Sequence, residues 1–188
     1  MEWGDAYDQF QIAPWTLIAS VEDAEAFADI LDSERIYPSQ RTSISRAIMR
    51  AADLMDTNEY DGIKRVIDIS GDGPNNTGPL IEDARDAVAA RGVTINGLPI
   101  MLKEEDSWYD IADLDRYYED CVISGPGAFV APVDDLDELG ATIRGKLVLE
   151  IVGLPARIHR AQVEGEGARS DCQIGEKLWR SRGGRYFR

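Results

Sequence analysis

The sequence predicts an α/β fold with a mostly parallel, helix-covered sheet, and three observations predict it. Val66-Ile67-Asp68-Ile69 and Val93-Thr94-Ile95 are short β-branched runs of the kind that makes buried parallel strands. Stretches with apolar residues at helical spacing alternate with them. The first run breaks into Ser70-Gly71-Asp72-Gly73-Pro74-Asn75-Asn76, a dense cluster of turn formers that sets Asp72 just past a strand's carboxyl end. In an open α/β sheet ligands bind at that edge, where loops and helix N-termini converge. An ordinary strand-to-helix turn uses the same residues for their backbone geometry, so this loop alone does not separate the two readings.

In chain order, Phe10 to Ile18 partly alternates apolar and polar residues and predicts an edge strand, since Pro14 cannot donate to a central ladder. Ser20 caps a helix from Val21 to about Asp32, with Asp23 in its first turn favoured by the helix dipole. A loop through Tyr37 to Arg41 reaches Thr42-Ser43, and from there Ile44, Ala47, Ile48, Ala51, Leu54 and Met55 fall on one helical face that packs on a sheet. Beyond the Asp72 loop, Pro79 suits the first turn of a helix whose inward face is Ile81, Ala84 and Val88 and whose stop is Gly92. Val93 to Ile100 is the next strand. Lys103 to Asp120, acidic and aromatic, predicts a loop and a short helix with Leu114, Tyr117 and Tyr118 turned inward. Gly125-Pro126-Gly127 feeds a short last strand, Ala128 to Ala131. A long helix then runs from Asp134 or Asp135 to Val152, with Leu136, Leu139, Ile143, Leu147 and Ile151 as its buried stripe, and Gly153-Leu154-Pro155 ends it.

The chain has 188 residues, 44% of them hydrophobic, which suits one domain with a real core. A net charge of −15 excludes binding to nucleic acid or an anionic membrane through the main body. From Ala156 to Arg188 eight Lys/Arg face four Asp/Glu, which leaves −19 on residues 1–155. Residues 156–188 are therefore a basic C-terminal extension, expected to be a solvated end that could also dock on the acidic body. No stretch reaches the roughly 18 apolar residues of a membrane span, and the N-terminus shows no basic-then-apolar export signal. Cys121 and Cys172 make no CxxC and lie near no His cluster, so they are a disulfide pair or two unrelated thiols. His159, the only histidine, has no apparent partner acid and reads as solvated. Trp108-Tyr109 and Tyr117-Tyr118 read as core and rim aromatics.

Four blocks in order carry a resemblance: Thr42-Ser43-Ile44-Ser45, Arg65 to Asn76, Gly92 to Ile100, and Tyr118 to Val130. Together they resemble a bacterial family of uncharacterised exported proteins with a von Willebrand factor A-type domain, in register from about Glu2 to Glu176. The resemblance implies a doubly wound sheet with helices on both faces and a metal-ion-dependent adhesion site at its carboxyl edge, without enzymatic activity. In such a site an Asp-x-Ser-x-Ser motif on the first strand, a Thr on a second loop and an Asp on a third hold Mg²⁺ or another divalent cation. A partner protein's carboxylate takes the coordination position left to water. Thr42 matches the Thr and Asp72 the third-loop Asp; Ser43 and Ser45 flank the first, and Ser70, Gly71, Gly73 and Asn75 the second. Arg41 departs from the pattern, where small glycines usually precede the Thr, and a cation there competes with a metal. The resemblance also implies a periplasmic or secreted protein and, because the family tends to carry cysteines at the matching positions, a Cys121–Cys172 disulfide.

The first strand, with its motif, and the first helix are expected before Glu2, so the chain reads as a truncated domain with an incomplete, weakly binding site. Without that strand, the Val66–Ile69 strand has one open apolar edge, a template for self-association. Asp68-Ile69-Ser70-Gly71-Asp72 has the spacing of the missing motif except that Asp72 replaces its last Ser, but the third-loop match is longer. The same loop is similar to the last acidic motif of haloacid-dehalogenase-type phosphatases. That chemistry needs a nucleophilic Asp-x-Asp-x-Thr loop, which this chain lacks, and Asn76 replaces its second acid. A metal-free structural or interaction module is the third alternative.

Overall fold

The computed structural model describes residues 1–35, 37–102, 111–152 and 169–183. It is a mixed α/β fold whose centre is a parallel pair, β3 (Val66–Gly71) and β4 (Thr94–Pro99), in register from Val66 opposite Thr94 to Gly71 opposite Pro99. Before it come a two-stranded antiparallel hairpin, β1 (Glu2–Trp3) with β2 (Gln9–Phe10), and two helices, α1 (Val21–Ser33) and α2 (Ile44–Thr57). Helix α3 (Ile81–Ala89) connects β3 to β4; α4 (Leu114–Tyr117) runs into a π-helical turn over Tyr118–Val122, followed by α5 (Leu136–Val152) and α6 (Ile174–Gly183).

The centre forms where local pattern and burial agree. Helix α2 buries Ile44, Ala47, Ile48 and Ala52, and α3 buries Ile81, Ala84 and Val88, against Ile67 and Ile69 of β3 and Ile95 of β4. Each of the isoleucine and valine side chains contributes about 1.5–3 kcal/mol when fully buried, and each alanine about 0.8 kcal/mol. Gly92, at φ +73°, takes the left-handed conformation that stops α3, and its N–H donates to the Ala89 carbonyl at 2.9 Å. Tyr117 and Tyr118 are fully buried, as the sequence predicts. Asn96 ties neighbouring segments together. Its Nδ2 donates to Asp68 Oδ1 at 3.2 Å, and its Oδ1 accepts the Phe129 N–H at 3.2 Å.

Four expectations need correction. Phe10 to Ile18 is not a strand beyond Phe10. Pro14 has no N–H to give, and local bonds, Gln11 Nε2 to the Ala13 carbonyl and Thr16 Oγ1 to the Pro14 carbonyl, replace a ladder. The last strand is reduced to isolated bridges, Gly97 with Val130 and Ile100 with Val133. Ile143 and Leu147 of α5 are exposed, because no element among the described residues covers them; the side chains of Leu136, Leu139 and Ile151 lie outside the described set. Finally, the C-terminal extension is not simply a solvated end: Cys172 and Glu176 are buried against the body. Trp108, Tyr109 and His159 lie outside the described residues.

Candidate functional site

Thr42 and Asp72 line one open concavity of about 290 Å³, shared with Glu2, Ser39, Arg41 and Ser70. The strand–turn sequence explains half of this arrangement: β3 ends at Gly71, so Asp72 leaves the sheet at its carboxyl edge and is exposed. The other half comes from a long-range clip. The Asn76 N–H donates to the Thr42 carbonyl at 2.9 Å, and Asn76 Oδ1 accepts the Thr42 N–H at 3.0 Å. This two-bond clip brings the Thr42 hydroxyl beside the Asp72 turn, where a Cβ on Gly73 would lie 3.7 Å from Thr42 Oγ1. The segment is also anchored on its other side, because the Ser43 N–H donates to the Gly4 carbonyl at 2.7 Å.

Beneath the rim sits Asn75, fully buried, with every polar group of its side chain engaged. Its Oδ1 accepts the Ser45 N–H at 3.0 Å; its Nδ2 donates to the Pro79 carbonyl at 3.2 Å and to Glu176 Oε1 at 2.8 Å. Its backbone N–H donates to the Tyr117 hydroxyl at 3.2 Å, which donates to the Cys172 carbonyl at 3.5 Å. Burial pushes the Tyr117 hydroxyl well above the ordinary tyrosine range, so it stays neutral and can play both parts. Burial raises the Tyr118 hydroxyl as well, with smaller contributions from Tyr117 and from the negative charge of Asp72. Cys121 and Cys172 form a disulfide with Cα atoms 5.5 Å apart.

The structure thus brings Thr42, Asp72, Ser70 and Gly71 to one concavity, whereas Ser43, Ser45, Gly73 and Asn75 are buried behind it. Ser43 Oγ donates to the Thr77 carbonyl at 3.0 Å, a fastening role. Arg41 lines the rim, but its guanidinium lies 4.4 Å from the centre of the Trp179 ring and donates to Thr77 Oγ1 at 3.4 Å. Sequence reasoning missed Asn76 as the clip, and Glu176 and Trp179 as partners. Nothing local could have shown the last two, since Glu176 is 101 residues from Asn75. Chemically the rim offers hard oxygen donors, the Asp72 carboxylate and the Thr42 hydroxyl. Among the described residues no group of three or more His, Cys, Asp or Glu gathers.

The model of a family described as "Protein of unknown function (DUF1194)" matches residues 1–155. Among curated proteins none matches. A solved structure similar to this chain is that of the pilus adhesin SpaC from Lactobacillus rhamnosus GG in its open conformation, at 12% identity and a TM-score of 0.48. The similarity covers 68% of this chain and 21% of the adhesin, so the chain spans about a fifth of that protein's length.

Proposed function

The chain belongs to the family described as "Protein of unknown function (DUF1194)", and from that footing we propose that it is a non-enzymatic binding module of the adhesion type. The observation that carries this reading is the convergence of Thr42 and Asp72, thirty residues apart, on one concavity at the carboxyl end of β3. In this reading Thr42 and Asp72 hold a hydrated Mg²⁺ or similar cation weakly, and a protein partner's carboxylate completes the coordination. The parallel β3–β4 pair, with Phe129–Val133 beside it, is then part of a doubly wound, von Willebrand factor A-like sheet. The disulfide supports a periplasmic or secreted location, since such bonds persist in oxidising compartments. Among the described residues no helix is long and apolar enough to cross a membrane.

One observation favours a metal-free variant of this reading: the polar groups of Asn75 and of the Asn76–Thr42 clip are already satisfied by protein partners, so the loop stands without an ion. The phosphatase alternative gains nothing, since the Asn76 carboxamide oxygen is turned to the Thr42 backbone. Calorimetric titration with Mn²⁺ separates the two adhesion-type variants. The cation reading expects a dissociation constant no tighter than about 10⁻⁴ M, with binding lost in Asp72→Ala. Heat unchanged by Asp72→Ala and Thr42→Ala removes the site, and micromolar binding contradicts its incompleteness.

A further inference from the structure

We infer that the C-terminal segment 170–183, which lies beyond the residues matched by the family, is a clasp that sets the geometry of the rim, with Glu176 as its positioning residue. Four contacts bring it there. Glu176, 7% exposed, accepts from Asn75 Nδ2 at 2.8 Å, and the same carboxamide holds the Ser45 N–H that follows Thr42. Trp179 takes the Arg41 guanidinium onto its face, fixing the cation next to Thr42. The Cys121–Cys172 disulfide and the bond from the Ser170 N–H to Asp120 Oδ2, at 2.7 Å, fasten the start of the segment to the body.

The close approach has a sequence cause. A Cβ on Gly175 would lie 2.1 Å from the Asn75 carbonyl oxygen, so only glycine lets α6 reach the loop. The chemistry of the Glu176–Asn75 contact is one-sided. Glu176 Oε2 has no hydrogen-bond partner among the described residues, so Oε1 and Asn75 Nδ2 make the one bond that orients the carboxylate. That bond, the shorter of the two that Asn75 Nδ2 donates, shares with the one to the Pro79 carbonyl at 3.2 Å the task of fixing which way the carboxamide faces. Its loss frees Oδ1 to turn from Ser45, and the helix start that carries Thr42 loosens. Affinity at the rim then depends on a residue that touches neither ligand nor cation.

This inference rests on the rim being the binding site, and its test reads the clasp and the site separately. Amide hydrogen exchange is measured by NMR on the full, disulfide-intact chain and on Glu176→Ala, Glu176→Gln and, as a control on the outer face of α6, Lys177→Ala. A hydrogen bond to a charged group in this setting is worth about tenfold or more in local opening, so Glu176→Ala should speed exchange at Ser45 and Asn76 about tenfold. The Ile95 amide, which donates to the Ser124 carbonyl at 2.7 Å, should not change. Glu176→Gln keeps the acceptor and should restore protection. Line broadening by Mn²⁺ at Thr42 and Asp72, followed in the same samples, should weaken with Glu176→Ala and recover with Glu176→Gln. Unchanged exchange at Ser45 and Asn76 in Glu176→Ala overturns the clasp whatever Mn²⁺ does. Faster exchange with no broadening in any sample leaves the clasp and removes the cation site. Should Glu176→Ala not fold, Glu176→Asp, which withdraws the carboxylate from Asn75, takes its place with the same two outcomes.

Discussion

The corner around Asn75 and the first 35 residues of the chain are built from similar residue types and end in opposite states. At the corner, Ile44, Ala47, Ile48 and Asn75 are fully buried, and a disulfide and a buried carboxylate hold a helix from far down the chain against them. In residues 1–35 the hairpin has two strands, α1 buries none of its residues, and Leu17 and Val21 are 67% and 69% exposed. Between the two regions a groove of about 470 Å³ runs along β3 from Val66 to Ser70, walled by Trp15, Ile18, Phe27 and Leu54. Among the described residues β3 has a strand neighbour on one side, β4. Apolar content alone therefore does not make a core. What separates the regions is whether each apolar face has a second face to meet.

The largest effect expected from this contrast is at Asn75. Asn75→Ala leaves the Glu176 carboxylate and the Ser45 N–H buried without partners, and such losses cost about 3–5 kcal/mol. Urea denaturation monitored by tryptophan fluorescence should show the midpoint falling steeply, while Leu17→Ala, on the open side, changes stability by less than about 0.5 kcal/mol. Comparable losses at the two positions would erase the distinction between the regions.

Next in size is the disulfide. Cys121→Ser with Cys172→Ser releases a closure across 51 residues, worth up to about 4 kcal/mol by the loop-entropy estimate. Part of that loss should be local, with α6 exchanging its amides before β3 and β4 do. Thiol titration of the unfolded, unreduced wild-type protein should find no free thiol. Two thiols would mean that the tail is held by noncovalent contacts alone, those of Glu176, Trp179 and the Ser170 N–H among them.

How much of this was legible in the sequence follows the same division. Helices α2 and α3 and strands β3 and β4 were readable because periodicity and turn residues are local signals, and Ser20 caps α1 as its side chain predicts, accepting the Asp23 N–H at 3.1 Å. Asp72 at the end of β3 and Thr42 ahead of α2 could be placed by the same means. The failures share one cause, dependence on a distant neighbour. Phe10–Ile18 has strand composition but no ladder beyond Phe10, Ile143 and Leu147 form a stripe without a covering face, and Asn75 finds Glu176 101 residues away. The disulfide was legible only through the family resemblance, since the spacing of two lone cysteines does not pair them.

A third expectation concerns the open side itself. The edge of β3 away from β4, without a strand neighbour among the described residues, together with exposed Trp15, Leu17 and Ile18, predicts concentration-dependent self-association in sedimentation velocity. Leu17→Ser and Ile18→Ser should reduce that association while leaving the melting temperature nearly unchanged. A monodisperse monomer across a hundredfold range of concentration would show that the groove is closed in solution.

The smallest effect is electrostatic and lies at the opposite end of β3 from the rim. Asp56, at the end of α2, accepts from both Arg65 and Arg91, and Arg91 Nη1 also donates to Asp53 at 2.9 Å. Hydrogen bonding from Arg91 first, then from Arg65, holds the Asp56 carboxyl below the ordinary carboxylate range, while these bonds outweigh desolvation and raise Arg91. Because the folded value lies below the unfolded one, the stabilisation is fully present above about pH 4, the ordinary aspartate value, and is lost as pH falls through the folded value. Asp56→Asn should therefore lower the melting temperature slightly at pH 7, and the gap from wild type should shrink as pH drops below about 4. Because the cluster is exposed, salt should shrink the same gap. A gap independent of both pH and salt would mean that Asp56 acts through the shape of the α2 terminus and not through its charge.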